Sequence, residues 1–188
     1  MSPTFSLSPP LSILLLAFLM LLTGCTTPLA VPSGPMPFNL PRQMYVVEQA
    51  TDNTTRDSIL IVQQEGEATR WTLLDLLGMP QARQILQAGR WRNDGFLPPN
   101  GRASLLFSAI AFALTPENAL KKTYAGQSWH VERTHVGGRT HVMPATGKPK
   151  WSIHWAPGAR DDTFSVMLPD ATVWTISPLA VHASESPP

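Results

Sequence analysis

The chain has 188 residues, with 14 Lys and Arg against 13 Asp and Glu, so its formal net charge is +1. This balance excludes the basic surface that nucleic-acid-binding proteins use, and a single cysteine excludes an internal disulfide. The length suits one ordinary domain with a substantial core.

The first element is an apolar run over residues 11–22, which leads into the tetrad LTGC at residues 22–25. A spanning helix needs about 20 apolar residues, whereas a signal-peptide core needs about 7 to 15. The tetrad resembles the lipobox of bacterial lipoproteins, in which the cysteine is lipidated and the chain is cut before it. The segment before the run departs from that pattern because it lacks Lys and Arg. We expect residues 1–24 to be a lipoprotein signal peptide and Cys25 to carry the lipid.

Lipid on Cys25 has consequences for chemistry and location. It leaves no thiol for a metal site or a nucleophile. Lipoproteins of this type carry three acyl chains, and about 0.8 kcal/mol per buried methylene makes such an anchor effectively permanent. The next residue is Thr26, whereas lipoprotein sorting generally retains proteins with Asp there in the inner membrane. We expect an anchor in the outer membrane of a Gram-negative bacterium, facing the periplasm.

Residues 25–41 place five prolines among small residues, which favours an extended tether. Strand character follows, and short turns between the segments indicate an antiparallel meander. The predicted strands cover residues 44–49, 58–64, 69–77 and 83–91.

Two helices are predicted next. Residues 103–114 have the apolar density of a helix buried on most of its surface. Thr115, Pro116 and Glu117 predict the start of a second helix over residues 118–122, with the threonine hydroxyl as its cap.

Strand character then returns over residues 129–136, 139–142, 151–155, 163–168 and 172–176, and Gly137-Gly138 predicts a two-residue hairpin turn. Segregated strands and helices predict an α+β fold, with one or two helices covering an antiparallel sheet. We expect a single domain over residues 42–180 and a loose tail over residues 181–188.

Common enzyme signatures are absent from the sequence: it has no GxSxG, HExxH, P-loop or GxGxxG motif. We therefore expect no catalytic residue, no cofactor and no metal. If Gly137 and Gly138 form the turn, His130, Glu132 and His141 share one face of the hairpin and His135 points to the other. An exposed polar face is the favoured interpretation, and a hydrolase or metal site on these three residues is the weaker alternative.

Tryptophan is the most informative residue type in the chain. All six tryptophans, at positions 71, 91, 129, 151, 155 and 174, fall on predicted strands. They can form an ordinary core covered by the helix at residues 103–114, or they can line an apolar cavity for a lipid-like ligand. The two interpretations differ in the empty volume they require.

Three stretches carry a family resemblance: LLGMPQARQILQAGRWRNDG at residues 76–95, SLLFSAIAFALTPENAL at 104–120 and WHVER at 129–133. They resemble a family of proteobacterial lipoproteins of unknown function that is distantly similar to the lipoprotein carriers LolA and LolB. The resemblance implies an incomplete, half-open antiparallel barrel, curved around helices, whose apolar cavity receives acyl chains. The cavity candidates, chosen by strand parity, are Trp71, Leu73, Leu106, Ile110, Trp129, Trp151, Trp155 and Trp174.

The same resemblance implies a membrane-contact loop at Leu77 and Met79, because LolB uses an apolar residue on a loop between early strands to insert acyl chains. A simple strand turn is the alternative for these residues. The predicted function is a non-enzymatic outer-membrane lipoprotein that binds or hands over an acyl chain or lipid. Its expected partners are the membrane, a lipid or lipoprotein cargo and a periplasmic delivery protein, and the chain is expected to be a monomer. The alternative function is an envelope lipoprotein with a filled core that acts as an assembly or interaction scaffold.

Overall fold

The computed structural model describes residues 29–95, 97–133, 135, 137–144 and 149–179. The predicted signal peptide, the predicted lipidation site Cys25 and the tail at residues 181–188 therefore lie outside the described residues. Within the described part, neither helix is long and apolar enough to cross a bilayer.

In the described residues, ten strands form one antiparallel sheet, and two helices lie between the fifth and sixth strands of the chain. The strands are β1 (Arg42–Gln49), β2 (Thr55–Glu65), β3 (Ala68–Asp75), β4 (Pro80–Gln87), β5 (Arg90–Asn93), β6 (His130–Arg133), β7 (Arg139–Pro144), β8 (Pro149–Trp155), β9 (Phe164–Met167) and β10 (Val173–Pro178). The helices are α1 (Gly101–Ala113) and α2 (Glu117–Thr123).

The sheet is a meander in which the first and last strands also pair, so the strand order is β5-β4-β3-β2-β1-β10-β9-β8-β7-β6. Strands β5 and β6 are its two edges and the sheet is not closed. The predicted α+β fold with an incompletely closed antiparallel sheet is therefore confirmed.

Alternation along each strand separates an inner face from an outer face. On β1, Met44, Val46 and Glu48 are buried, while Tyr45 and Val47 between them are only partly covered. On β8, Trp151, Ile153 and Trp155 are buried, while His154 is exposed. This two-residue period places the apolar side chains against α1.

Helix α1 fills the inner side of the sheet. Asn100 caps it, since its Oδ1 accepts a hydrogen bond from the backbone N–H of Ala103 at 3.0 Å. Ten of its thirteen residues are buried, as predicted for a helix that is apolar on most of its surface. Two buried serines fix its position on the sheet, because Ser104 donates to Gln84 and Ser108 accepts from the indole N–H of Trp91.

Two local predictions were wrong. Residues 83–91 are not one strand, because Ala88 and Gly89 have positive φ angles and form a two-residue turn between β4 and β5. Thr115 does not cap α2 with its side chain. Its hydroxyl donates instead to the carbonyl oxygen of Ala111, in the last turn of α1, at 2.8 Å.

The two ends of the sheet differ in what covers them. We call the end with the β2–β3 and β4–β5 turns the base, and the end with the β3–β4 and β9–β10 turns the mouth. Residues 29–41, predicted as an extended tether, lie against the base. Ser33 donates its backbone N–H to the carbonyl of Thr123 at 2.9 Å, and Gln127 donates to the carbonyl of Val31 at 2.9 Å.

This N-terminal segment also contributes to the core. Ala30 is buried, and Met36, Phe38 and Leu40 pack against the core cluster. The buried members of that cluster run from Ala30 to Ile176. A chain of residues 26–188 therefore contains every member of the cluster.

Candidate functional site

An apolar turn projects from the mouth between β3 and β4. Its three large apolar side chains are Leu76, Leu77 and Met79, which are 59%, 89% and 60% exposed. Asp75 orders the turn, because its Oδ1 accepts hydrogen bonds from the backbone N–H groups of Leu77 and Met79 at 2.9 and 2.8 Å. Gly78 supplies the positive φ that the turn needs. The predicted contact residues Leu77 and Met79 thus lie on a structured and exposed turn.

A charged cluster near the β3–β4 turn holds the N-terminal end of α1 on the sheet. Glu48 lies on the inner face of β1 and is buried. The guanidinium of Arg102 contacts Glu48 at 3.0 Å and Asp170 at 3.3 Å, and it donates to the hydroxyl of Thr172 at 2.6 Å. It also lies 5.7 Å from the ring centroid of Trp174. A buried carboxylate is stable only when paired, so this contact holds α1 over the mouth.

The pKa of the Asp170 carboxyl reflects the same contacts. Partial burial by itself raises the pKa, but hydrogen bonds from Thr172 and the charge of Arg102 outweigh it. The net result is a pKa below the ordinary value. Asp170 therefore stays ionised and available to Arg102 at neutral pH.

A small cavity of about 110 Å³ lies between this cluster and the core. It is lined by Leu73, Leu106 and Trp174, three of the eight predicted cavity residues. A cavity of this size holds a few water molecules, since one water occupies about 30 Å³ of liquid volume. It does not hold an acyl chain.

Trp71 and Trp151, two of the other candidates, pack against aromatic side chains of the core. Trp71 lies edge-on to Trp91 and tilted on Phe107, with both centroid distances 5.6 Å. Trp151 packs on Phe112 at 5.0 Å, and its exposed fraction is 1%. Side chains with so little accessible surface have no water-sized space beside them.

All eight candidates therefore belong to one apolar core. Seven are buried in it, and Trp129 is partly buried and packs on Phe112 at 5.7 Å. In this conformation α1 occupies the volume that a cavity would need.

The prediction that His130, Glu132 and His141 share one face of the hairpin was wrong. Arg133 pairs with Arg139, so five residues separate β6 from β7 instead of the two glycines. His141 then lies opposite Val131, which places it on the inner face. His130 and Glu132 remain together on the outer face, with Nε2 and Oε1 3.1 Å apart. Among the described residues, no group of three His, Cys, Asp or Glu side chains can hold a metal ion.

The Glu48 and Arg102 pair was missed by the sequence analysis. A signal was present, since Glu48 has the same parity as Met44 and Val46 and an acid on an inner face requires a partner. The position of Arg102 beside it depends on the β1–β10 pairing, which joins the two ends of the domain.

Comparison of the chain with models of known protein families and with curated proteins gives no match.

Proposed function

We propose that the protein is an outer-membrane lipoprotein that binds or hands over a hydrophobic chain at the mouth of a half-open barrel, without covalent chemistry. The observation that carries the proposal is the apolar turn. Leu76, Leu77 and Met79 stay in water on a turn ordered by Asp75, at the end of the sheet where the candidate cavity residues approach the surface. Exposed apolar clusters of this kind mark contacts with a membrane, a lipid or another protein. The resemblance to a lipoprotein family that is distantly similar to LolA and LolB supports the same function.

Because α1 fills the interior, an acyl chain can enter only if it displaces side chains of that helix. An acyl chain of about 14 methylenes gains on the order of 11 kcal/mol when it leaves water, at about 0.8 kcal/mol for each methylene. Lifting Leu106, Phe107, Ile110 and Phe112 of α1 out of the core costs about 6 to 12 kcal/mol, at 1.5 to 3 kcal/mol for each side chain. The two free energies are of similar size, so an incoming chain can offset the cost of displacing these four side chains.

The alternative function, an assembly or interaction scaffold with a filled core, is favoured by the packing of α1. Trp71, Phe107 and Ile110 have exposed fractions of 0%. A scaffold needs a filled core of this kind, and α1 stays in place. In that case the apolar turn contacts a partner protein.

The test uses residues 26–188 secreted to the periplasm without the lipid anchor. We expect native mass spectrometry to recover a stoichiometric lipid, and a fluorescent fatty acid to be taken up by the delipidated protein. Leu77→Ser with Met79→Ser is expected to slow uptake at least about fivefold. The turn is already in water, so the same pair is expected to change the free energy of unfolding by less than about 0.5 kcal/mol.

Met167→Ser is the matched control. Met167 is also an exposed methionine, but it lies on β9 outside the turn. Its replacement should leave uptake unchanged. Recovery of no lipid together with no uptake would refute the carrier function and favour the scaffold.

A further inference from the structure

The N-terminal segment meets the domain at the base, between the β4–β5 turn and the end of α2. On one side, a Cβ atom on Gly89 would lie 3.8 Å from the carbonyl oxygen of Pro32 and 3.9 Å from the Val31 side chain. On the other side, the Ser33 hydroxyl donates to the carbonyl of Thr123 at 2.9 Å. Position 25 is six residues before Val31, so it lies within about 20 Å of this surface.

Basic side chains surround this meeting point. Arg90 and Arg92, on β5, line a groove of about 970 Å³ that separates the β4–β5 turn from residues 32–40. Lys121 and Lys122 lie in the last turn of α2, on the other side of the segment. All four side chains are exposed, and none has an acidic partner among the described residues.

The other charges of the base do not cancel these cations. Arg42, at the start of β1, is a fifth cation without an acidic partner in the described ranges. Glu67, in the β2–β3 turn, is the one described acid of the base that has no basic partner. The paired acids and their partners are Glu65 with Arg70, Glu117 with Arg133, Asp161 with Arg139, and Asp162 with Arg160.

The mouth has the opposite surplus. Asp52 in the β1–β2 turn and Asp75 in the β3–β4 turn accept hydrogen bonds from backbone N–H groups, and neither pairs with a cation in the part of the chain that the structure describes. Arg56 and Arg102 at the same end both pair with Glu48. The net charge of +1 therefore hides an uneven distribution, and an anionic surface attracts the base more strongly than the mouth.

We propose that the base of the domain docks on a bilayer through anionic phospholipid headgroups, with Arg90, Lys121 and Lys122 against the phosphate groups. The proposal rests on the lipoprotein function above, because lipid on Cys25 would hold a bilayer within reach of these side chains. Each Lys or Arg near an anionic bilayer strengthens binding about fivefold. An acidic protein would also match the charges, but it would not account for their position around the segment that leads to Cys25.

The test uses residues 26–188, which carry no lipid, and sedimentation with phosphatidylcholine vesicles that contain about 40% phosphatidylglycerol, at up to about 10 mM lipid and about 30 mM salt. We expect binding at least about tenfold stronger than to phosphatidylcholine alone. The difference should disappear at about 1 M salt, where the screening length is about 3 Å. Arg90→Gln with Lys122→Gln should weaken binding at least about fivefold.

Asn53→Asp with Arg56→Gln is the matched control, because it lowers the net charge by the same two units at the mouth. Both side chains are exposed, and this variant should bind as the parent protein does. A gadolinium-bearing lipid in the same vesicles locates the contact by NMR. We expect the amides of residues 88–90 and 121–123 to broaden most and those of residues 76–79 to broaden least.

Four results would overturn the docking proposal: no binding up to the highest lipid concentration, equal binding to both kinds of vesicle, equal loss in the two double variants, or the strongest broadening at residues 76–79. Docking and the carrier function fail separately, because vesicle binding and fatty-acid uptake are different measurements. Uptake without vesicle binding would overturn docking alone. Vesicle binding through the base without uptake would support docking and count against the carrier function.

Discussion

His141 is a buried base that folding forces into its neutral form. Its pKa is lowered to about 4, first by burial and then by Arg139, whereas an unfolded chain titrates near the ordinary 6.5. Between these values the unfolded chain binds more protons than the folded one, so the free energy of unfolding falls as the pH falls. This contribution to the free energy of unfolding is complete above about pH 6.5 and is lost progressively down to about pH 4, for a total of about 3 kcal/mol.

We expect His141→Phe to remove this acid-sensitive contribution. An apolar ring between Phe112 and Trp155 needs no polar partner, so the free energy of unfolding at pH 7 should be unchanged or higher by about 1 kcal/mol. Urea unfolding at pH 7 and pH 4.5 measures both effects. His154→Phe, on the exposed face, should keep the parent protein's pH dependence. An equal loss of stability in the parent and in His141→Phe between the two pH values would contradict the assignment.

Two aromatic clusters support the two halves of the sheet, and they differ in their polar atoms. In the first, Trp71 donates its indole N–H to the Thr69 hydroxyl at 3.1 Å and Trp91 donates to the Ser108 hydroxyl at 2.8 Å. In the second, around Phe112, the indole nitrogen of Trp151 has no hydrogen-bond partner among the described residues. The nitrogens of His141 in the same cluster are likewise unpartnered within the described chain. The second cluster regains hydrogen bonds with water when it opens, so its half of the sheet should open more readily.

Hydrogen exchange tests this difference on two equivalent strands, because β4 and β7 are each next to an edge strand. We expect the slowest amides of β7 to exchange at least about tenfold faster than those of β4, which corresponds to about 1.4 kcal/mol. Ser108→Ala removes the partner of Trp91 and should bring β4 closer to β7. Equal protection of the two strands in the parent protein would contradict the expectation.

Local sequence patterns predicted the strands and helices better than they predicted the register between paired strands. The two-residue period of Trp151, Ile153 and Trp155 gave the buried face of β8, and the apolar density of residues 103–114 predicted α1 within two residues. The hairpin of β6 and β7 was misplaced, because Gly137-Gly138 suggested a two-residue turn and the loop has five residues. The register is shifted by three residues, and an odd shift moves His141 to the opposite face of the hairpin. The error in the length of one turn therefore made the predicted grouping of His141 with His130 and Glu132 wrong.

The candidate site shows a second limit of local reasoning. The sequence pointed to Leu77 and Met79 through resemblance, and their exposure agrees with a surface role. Whether the tryptophans surround a void or pack on α1 depends on how the helix and the sheet fit together in three dimensions. Periodicity assigns a face to each side chain, but it does not measure the volume between two faces.

At the scale of the whole molecule, the N-terminal segment belongs to the domain. Met36, Phe38 and Leu40 pack on the core, and Ser33 bonds the end of α2. We expect a chain that starts at Arg42 to unfold with a free energy about 4 kcal/mol lower than a chain that starts at Thr26, at about 1 kcal/mol for each apolar side chain lost, including Ala30. Urea unfolding of the two forms measures the difference.

A chain that starts at Leu29 is the control for this comparison and should match the longer form. Equal midpoints for the chains that start at Thr26 and Arg42 would mean that residues 29–41 behave in solution as the tether that their composition suggests.

If the protein is the lipoprotein proposed above, the docked N-terminal segment also sets the orientation of the domain on its membrane. If Cys25 carries the lipid, only three residues separate it from Leu29, so the anchor point lies near the base. The mouth is farther away by the length of β3, which has eight residues and spans about 26 Å. While the segment stays docked, Leu76, Leu77 and Met79 face away from the bilayer that holds the anchor and towards whatever crosses the periplasm. Release of residues 29–41 would add about 40 Å of extended chain, enough for the domain to turn over and bring the same three side chains to its own membrane.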